Sequence, residues 1–189
     1  MRILRISHSG VVDAWRERER VARRMGHDVT SVTAAVWDEG GRDVPLELRP
    51  DEDVIGVRTL GRHPALFVYD PLPLWRLLGQ RWDVIDLHEE PFALSTAEVL
   101  LLRALRRVAT PFCLYSAQNI DKRYPPPFRW LEQWALRHAT AVSVCNAEAG
   151  EIVARKGLTG RAVLIGLGVD PEHFAAGPER PTSSDGAVT

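Results

Sequence analysis

The chain has 189 residues, 45% of them hydrophobic and 26% charged, with a formal net charge of −1. That is enough apolar material for one well-filled domain, and the absence of a basic excess argues against a nucleic-acid partner. Cys113 and Cys145 both lie in apolar runs and read as small buried residues of a reducing compartment, not as a disulfide framework. No stretch approaches a membrane span, and the first seven residues are too few and too charged for a signal peptide, so a cytoplasmic protein is expected. Lysine occurs only at positions 122 and 156; every other cation is arginine.

In chain order, residues 2–7 predict a first strand with Ile3, Leu4 and Ile6 as core, and His8-Ser9-Gly10 a turn. Residues 13–25 predict a helix capped by Asp13 and stopped by Gly26, with Trp15, Val21, Ala22 and Met25 inward. Its outer face then carries Arg16, Glu17, Arg18, Glu19, Arg20, Arg23 and Arg24, a mixed-sign solvated surface whose arginine surplus leaves room for contact with anionic lipid or phosphate. Residues 29–34 predict a second strand, 37–50 a Gly-, Asp- and Pro-rich loop, and 54–60 a third strand. The aromatic stretch Phe67-Val68-Tyr69 leads into a helix opened by Pro71 and Pro73.

Val84, Ile85 and Leu87 then form the short apolar run of a buried central strand, which ends in His88-Glu89-Glu90-Pro91. Residues 95–107 predict a helix with Ser95 as cap, Glu98 completing a capping box, and Val99, Leu101, Leu102 and Leu105 inward. A strand at 112–115 precedes the polar loop 116–126. Pro127 opens a helix to His138, with Trp130, Leu131, Trp134 and Ala135 inward. Residues 141–145 predict a strand, Asn146 caps a helix over 147–156 that Gly157 ends, and 163–165 form the last strand. Strands alternating with helices imply an α/β fold: a Rossmann-like parallel sheet with helices on both faces. The domain spans 1–175, and 176–189, with nothing to bury, read as a linker.

Three loops follow carboxyl ends of strands and should meet at one rim of the sheet. The first, His8-Ser9-Gly10, admits a phosphate at its backbone N–H groups, although it is neither a G-x-G-x-x-G nor a Walker loop. The second, His88-Glu89-Glu90, offers carboxylates to sugar hydroxyls or a base; its spacing is not that of a metal site. The third holds Gln118, Asn119, Asp121, Lys122, Arg123 and Tyr124, a mixture suited to a polyhydroxylated or phosphorylated ligand.

Several segments together resemble the N-terminal half of a bacterial family-four, GT-B fold, retaining glycosyltransferase. The opening strand through His8 is one, and Met25-Gly26-His27-Asp28-Val29-Thr30-Ser31-Val32-Thr33 is similar to the family's GHEVTVVT entry to the second strand. Residues 83–91 resemble its DVIHxHEEP strand. Gln118-Asn119 with Lys122 to Phe128 resembles a loop of one subgroup, and 165–174 is close to its IPxGVDxxxF segment, the most specific of these.

The resemblance implies transfer of a sugar (a hexosyltransferase type) from a nucleotide diphospho-sugar to an acceptor, with retention and no metal or other cofactor. By carry-over, His8, Ser9 and Gly10 form the donor-phosphate loop. Glu89, Glu90 and Gln118 are the candidate catalytic residues, and His88, Asn119, Lys122, Arg123 and Arg16 the acceptor-binding ones. Two departures stand out: His8-Ser9-Gly10-Val11 where relatives often have Gly-Gly, and Gln118 where many have histidine. The expected partners are the nucleotide sugar, an acceptor and the chain's own C-terminal domain, whose nucleotide-sugar pocket is not in this sequence. The chain alone is therefore expected to be inactive. Peripheral contact with the inner face of the membrane fits the arginine-rich helix. The alternatives are a non-catalytic α/β ligand-binding or partner-docking module and a free-standing flavodoxin-like nucleotide binder.

Overall fold

The computed structural model describes residues 1–166 and 168, so the predicted linker and most of the segment 165–174 lie outside the described residues. Eleven strands and five α-helices are described: β1 Arg2–Ile6, α1 Glu17–Arg24, β2 Asp28–Ala34, β3 Val36–Glu39, β4 Arg42–Pro45, β5 Val54–Val57, β6 Thr59–Leu60, β7 Val68–Tyr69, α2 Pro71–Leu78, β8 Val84–Leu87, α3 Leu94–Leu105, β9 Phe112–Ser116, α4 Phe128–His138, β10 Ala141–Val144, α5 Ala147–Arg155 and β11 Arg161–Leu164. Seven strands form one sheet in the order β11-β10-β9-β8-β1-β2-β5, and every pairing in it is parallel. The order reverses at β1, the switch point at which open α/β sheets place their ligands.

Alternation along the strands divides the side chains between two faces. Leu4, Ile6, Ile85, Leu87, Leu114, Val142 and Val144 point to one face, are all buried, and meet α2, α3, α4 and α5. The other face carries α1 over Arg5, which is buried and pairs with Glu19 of α1 and with Asp86 of β8 at 2.5 Å. Burying an ion pair in a sheet is tolerated only when each charge is answered, as here by two carboxylates around one guanidinium.

The first helix is phased opposite to the sequence expectation. Residues Asp13–Arg16 form a 3₁₀ turn before α1 begins at Glu17. Arg16, Glu19, Arg20 and Arg23 (spaced i, i+3, i+4, i+7) face the sheet; Trp15 and Met25 are 59% and 70% exposed. Charged partners decide the phase. Glu52 accepts from both Arg16 and Arg20, and Arg23 donates to the Val29 carbonyl at 2.6 Å. Arg16 is 1% exposed, so its placement on an outer, acceptor-binding face is corrected.

Other expectations need revision. The segment predicted as a loop over 37–50 contains the antiparallel β3–β4 hairpin, turned by Gly40 and Gly41, both at positive φ. The single strand expected over 54–60 is two: β5 joins the sheet, and β6 leaves it to pair antiparallel with β7. Ala93, not Ser95, precedes α3; Ser95 is buried inside the helix, and Glu98 accepts the Tyr69 amide N–H instead of closing a capping box. Leu101, Leu105 and Trp130, expected inward, are exposed. The cap expected at Asn146 forms, its side chain accepting from Ala149 N, and Asp70, not among the expected caps, caps α2 by accepting from Leu72 N.

Candidate active-site rim

The carboxyl ends of β1, β8 and β9 lie side by side, and hydrogen bonds join the loops that leave them. After β8, Glu89 turns toward the β1 loop and is 2% exposed. Its Oε1 accepts from the His8 backbone N–H at 2.7 Å and from the Tyr69 hydroxyl at 2.7 Å, and its Oε2 lies 2.6 Å from His8 Nδ1. Burial, then the Glu89 charge, pushes the Tyr69 hydroxyl well above the ordinary phenol range, so it stays protonated and donates. A carboxylate only accepts, so Nδ1, the His8 ring nitrogen facing it, carries a proton, and Nε2 has no protein partner among the described residues. The ring packs at a tilt against Trp37 and edge-on against Phe67, with centroids 4.5 and 5.0 Å away.

The rest of the β1 loop is held by hydroxyl side chains. Ser9 Oγ is 2.9 Å from Ser7 Oγ, and the Thr33 hydroxyl donates to the His8 carbonyl at 3.1 Å. A Cβ at Gly10 would stand 3.2 Å from Thr33 Oγ1, a tight contact that favours glycine there. Arg16 supports this loop from behind, donating to the Gly10 carbonyl at 2.8 Å.

Glu90 serves the neighbouring loop. Its Oε2 accepts from Ser116 Oγ at 2.9 Å and its Oε1 from the Ala117 N–H at 2.8 Å. Burial raises its pKa against the pull of those two donors. Gln118 continues the line. Its Nε2 donates to the Tyr124 hydroxyl at 2.9 Å, and its Oε1 accepts from Lys156 Nζ at 2.8 Å. Lys156 also bonds Glu132 at 2.7 Å, and the Tyr124 ring stacks on Phe92 at 4.3 Å.

His8, Ser9, Gly10, Glu89, Glu90 and Gln118 are thus brought to one rim. His88 is not grouped with its two sequence neighbours: alternation sends it to the α1 face, where it stacks on Tyr115 at 4.0 Å. Burial there, with Arg5 next, lowers its pKa to about 3 and keeps it neutral. Asn119, Lys122 and Arg123 are exposed on the third loop. Sequence reasoning missed Tyr69, Glu132 and Lys156. Only Lys156 carried a signal, the scarcity of lysine. Among the described residues no group of three or more His, Cys, Asp or Glu side chains is placed to hold a metal, and no helix is long and apolar enough to cross a membrane.

This seven-stranded parallel sheet, with helices on both faces, is a Rossmann-like α/β fold of the kind found in GT-B glycosyltransferases. The family model for Glycosyltransferase Family 4 matches residues 9–173, and the chain belongs to that family. Among solved structures it is similar to a sucrose-phosphate synthase from Thermosynechococcus elongatus, with 19% identity, 93% of each chain covered and a TM-score of 0.56, a likeness of fold. No curated protein matches the chain.

Proposed function

We propose that this chain is the acceptor-side half of a retaining glycosyltransferase that moves a hexose from a nucleotide diphospho-sugar to an acceptor hydroxyl, with no resident cofactor. The bond from the anomeric carbon to the diphosphate breaks, a bond from that carbon to the acceptor oxygen forms, and the acceptor hydroxyl gives up its proton to the leaving phosphate oxygen. The observation that supports this reading most is the His8–Glu89–Tyr69 network at the switch point of the sheet, in a chain of this family.

Glu89 is a positioning residue in this scheme. Its two oxygens already hold three protein donors, so it fixes the His8 tautomer and does not itself meet substrate. His8 Nε2 then accepts a hydrogen bond from a sugar hydroxyl at the junction of donor and acceptor. The backbone at Ser9 and Gly10 faces the donor diphosphate. Glu90 fixes the start of the third loop through Ser116 and Ala117, and so sets the height of Gln118, which meets the acceptor through hydrogen bonding alone. The other wall of the cleft is supplied by a second domain, and closing the two walls assembles the site and excludes water.

The test is a screen of nucleotide diphospho-sugars, with NMR of the product anomer, on the 189-residue chain and on the natural reading frame that contains it. The expected result is transfer with retained configuration by the longer protein only. Inversion, turnover by the shorter chain alone, or no transfer from any donor would overturn the proposal.

A further inference from the structure

The chain's two lysines come from different segments, yet both amines lie over the same ring. Lys122 Nζ and Lys156 Nζ are 5.6 and 5.0 Å from the centroid of Tyr124. The ring forms part of a cleft of about 470 Å³ between the third loop, α4 and the last turn of α5. Five cations line it, Lys122, Arg123, Arg129, Arg155 and Lys156, against two carboxylates, Asp121 and Glu132. Five against two leaves a surplus of three positive charges, in a chain whose total is −1.

Two of the five already have partners: Lys156 bonds Glu132 at 2.7 Å, and Arg155 faces Asp121 at 3.4 Å. Lys122, Arg123 and Arg129 are exposed and make no ion pair among the described residues. Three unanswered cations around one recess repel one another until an anion enters. A phosphate monoester suits them better than a lone carboxylate does. It carries close to two charges and three acceptor oxygens, which the arginine forks and the compact lysine ammonium can all address. The cleft also adjoins the rim. Gln118, two residues beyond the end of β9, bonds both Tyr124 and Lys156, so a molecule anchored by its phosphate here extends toward Gln118.

We propose that this cleft binds the phosphate of a phosphorylated acceptor, with Lys122, Arg123 and Arg129 as its direct ligands and the partly buried Lys156 as the cation behind them. The word acceptor rests on the glycosyltransfer reading above; the phosphate site does not. A soluble phosphate monoester and the monoester headgroup of phosphatidic acid present the same chemistry.

The experiment titrates the 15N-labelled 189-residue chain with inorganic phosphate at constant ionic strength, with chloride as control. Saturable amide shifts at Lys122, Arg123, Tyr124 and Arg129 are expected. Binding should be about tenfold weaker or worse in the exposed triple variant Lys122→Ala, Arg123→Ala, Arg129→Ala, and should persist in Lys122→Arg. Shifts that fail to saturate, that chloride reproduces, that centre on residues 8–10, or that survive the triple substitution would overturn the assignment. Two further arms separate the sources. Binding of glycerol 3-phosphate without sedimentation on vesicles marks a soluble ester. Sedimentation on phosphatidylcholine vesicles containing phosphatidic acid, lost in the triple variant, marks a lipid. Phosphate binding by this chain with no transfer by the longer protein would sink the glycosyltransfer reading and leave this site standing; transfer by the longer protein without phosphate binding here would do the reverse.

Discussion

Replacing Glu89 by glutamine exchanges one oxygen for an NH₂ group and reverses a hydrogen bond. The remaining amide oxygen can still accept from the His8 backbone N–H and the Tyr69 hydroxyl, the two donors now 2.7 Å from the carboxylate. The NH₂ group, however, faces His8 Nδ1, which lies 2.6 Å from Oε2 in the native chain. Two donors cannot share that contact, so the imidazole must move its proton to Nε2. Three bonds lose the assistance of a charge, at about 0.5–1 kcal/mol each, for a total of about 1.5–3 kcal/mol. That is well inside the roughly 5–15 kcal/mol of an ordinary domain, so the fold survives. Guanidinium unfolding measures the loss, and long-range 15N correlation spectra of the His8 ring report the tautomer. On the proposed function, transfer activity should be lost with the substitution, because Nε2 has become a donor. An unchanged unfolding midpoint together with an unchanged His8 tautomer would refute the reasoning.

Two other outcomes follow from burial. Arg16→Ala should cost about 3–5 kcal/mol by leaving Glu52 short of a buried partner, whereas Trp15→Ser with Met25→Ser should stay within about 0.5 kcal/mol; denaturant midpoints in the opposite order would show that α1 is phased the other way. Burial pushes the Glu98 carboxyl up to about 7, the Tyr69 N–H pulling against it and the Asp70 charge adding to it. The folded chain therefore holds this proton more tightly than the unfolded one. The corresponding stability is full below the ordinary value of 4.5 and is lost as pH rises to about 7. Glu98→Gln should be more stable than the native chain above about pH 8 by about 1 kcal/mol, a figure discounted for partial exposure, and should show no gain near about pH 4; equal melting temperatures on the alkaline side would contradict this.

The central strands were legible because their apolar runs are short and bounded. Val84-Ile85-Asp86-Leu87 ahead of His88-Glu89-Glu90 reads as a buried strand delivering polar groups, and β8 does so. The rule that parallel strands present their loops at one rim was also enough to bring His8, Glu89 and Gln118 together. What it could not supply was which group each side chain meets. Glu89 reads as an available carboxylate until β7 sets Tyr69 against it, a contact across a turn and a helix that no local pattern encodes. The first helix misled for a related reason: periodicity counts apolar residues as inward, but Arg5, Glu52 and the Val29 carbonyl made the charged stripe the one that could be buried. Gly40-Gly41 sits in a polar stretch whose composition reads as loop, yet a glycine pair of this kind is also the signal of a two-residue hairpin turn, and the structure follows the turn chemistry over the composition.

Confining lysine to the walls of a single recess gives the protein an unusual chemical handle. An amine-selective acylating reagent finds only Lys122, Lys156 and the amino terminus, and Lys156, 11% exposed and bonded on two sides, reacts slowly. Lys122 is thus a near-unique attachment point, where a fluorophore or crosslinker can be placed without engineering a cysteine, and where the arrival of a ligand registers as protection from modification.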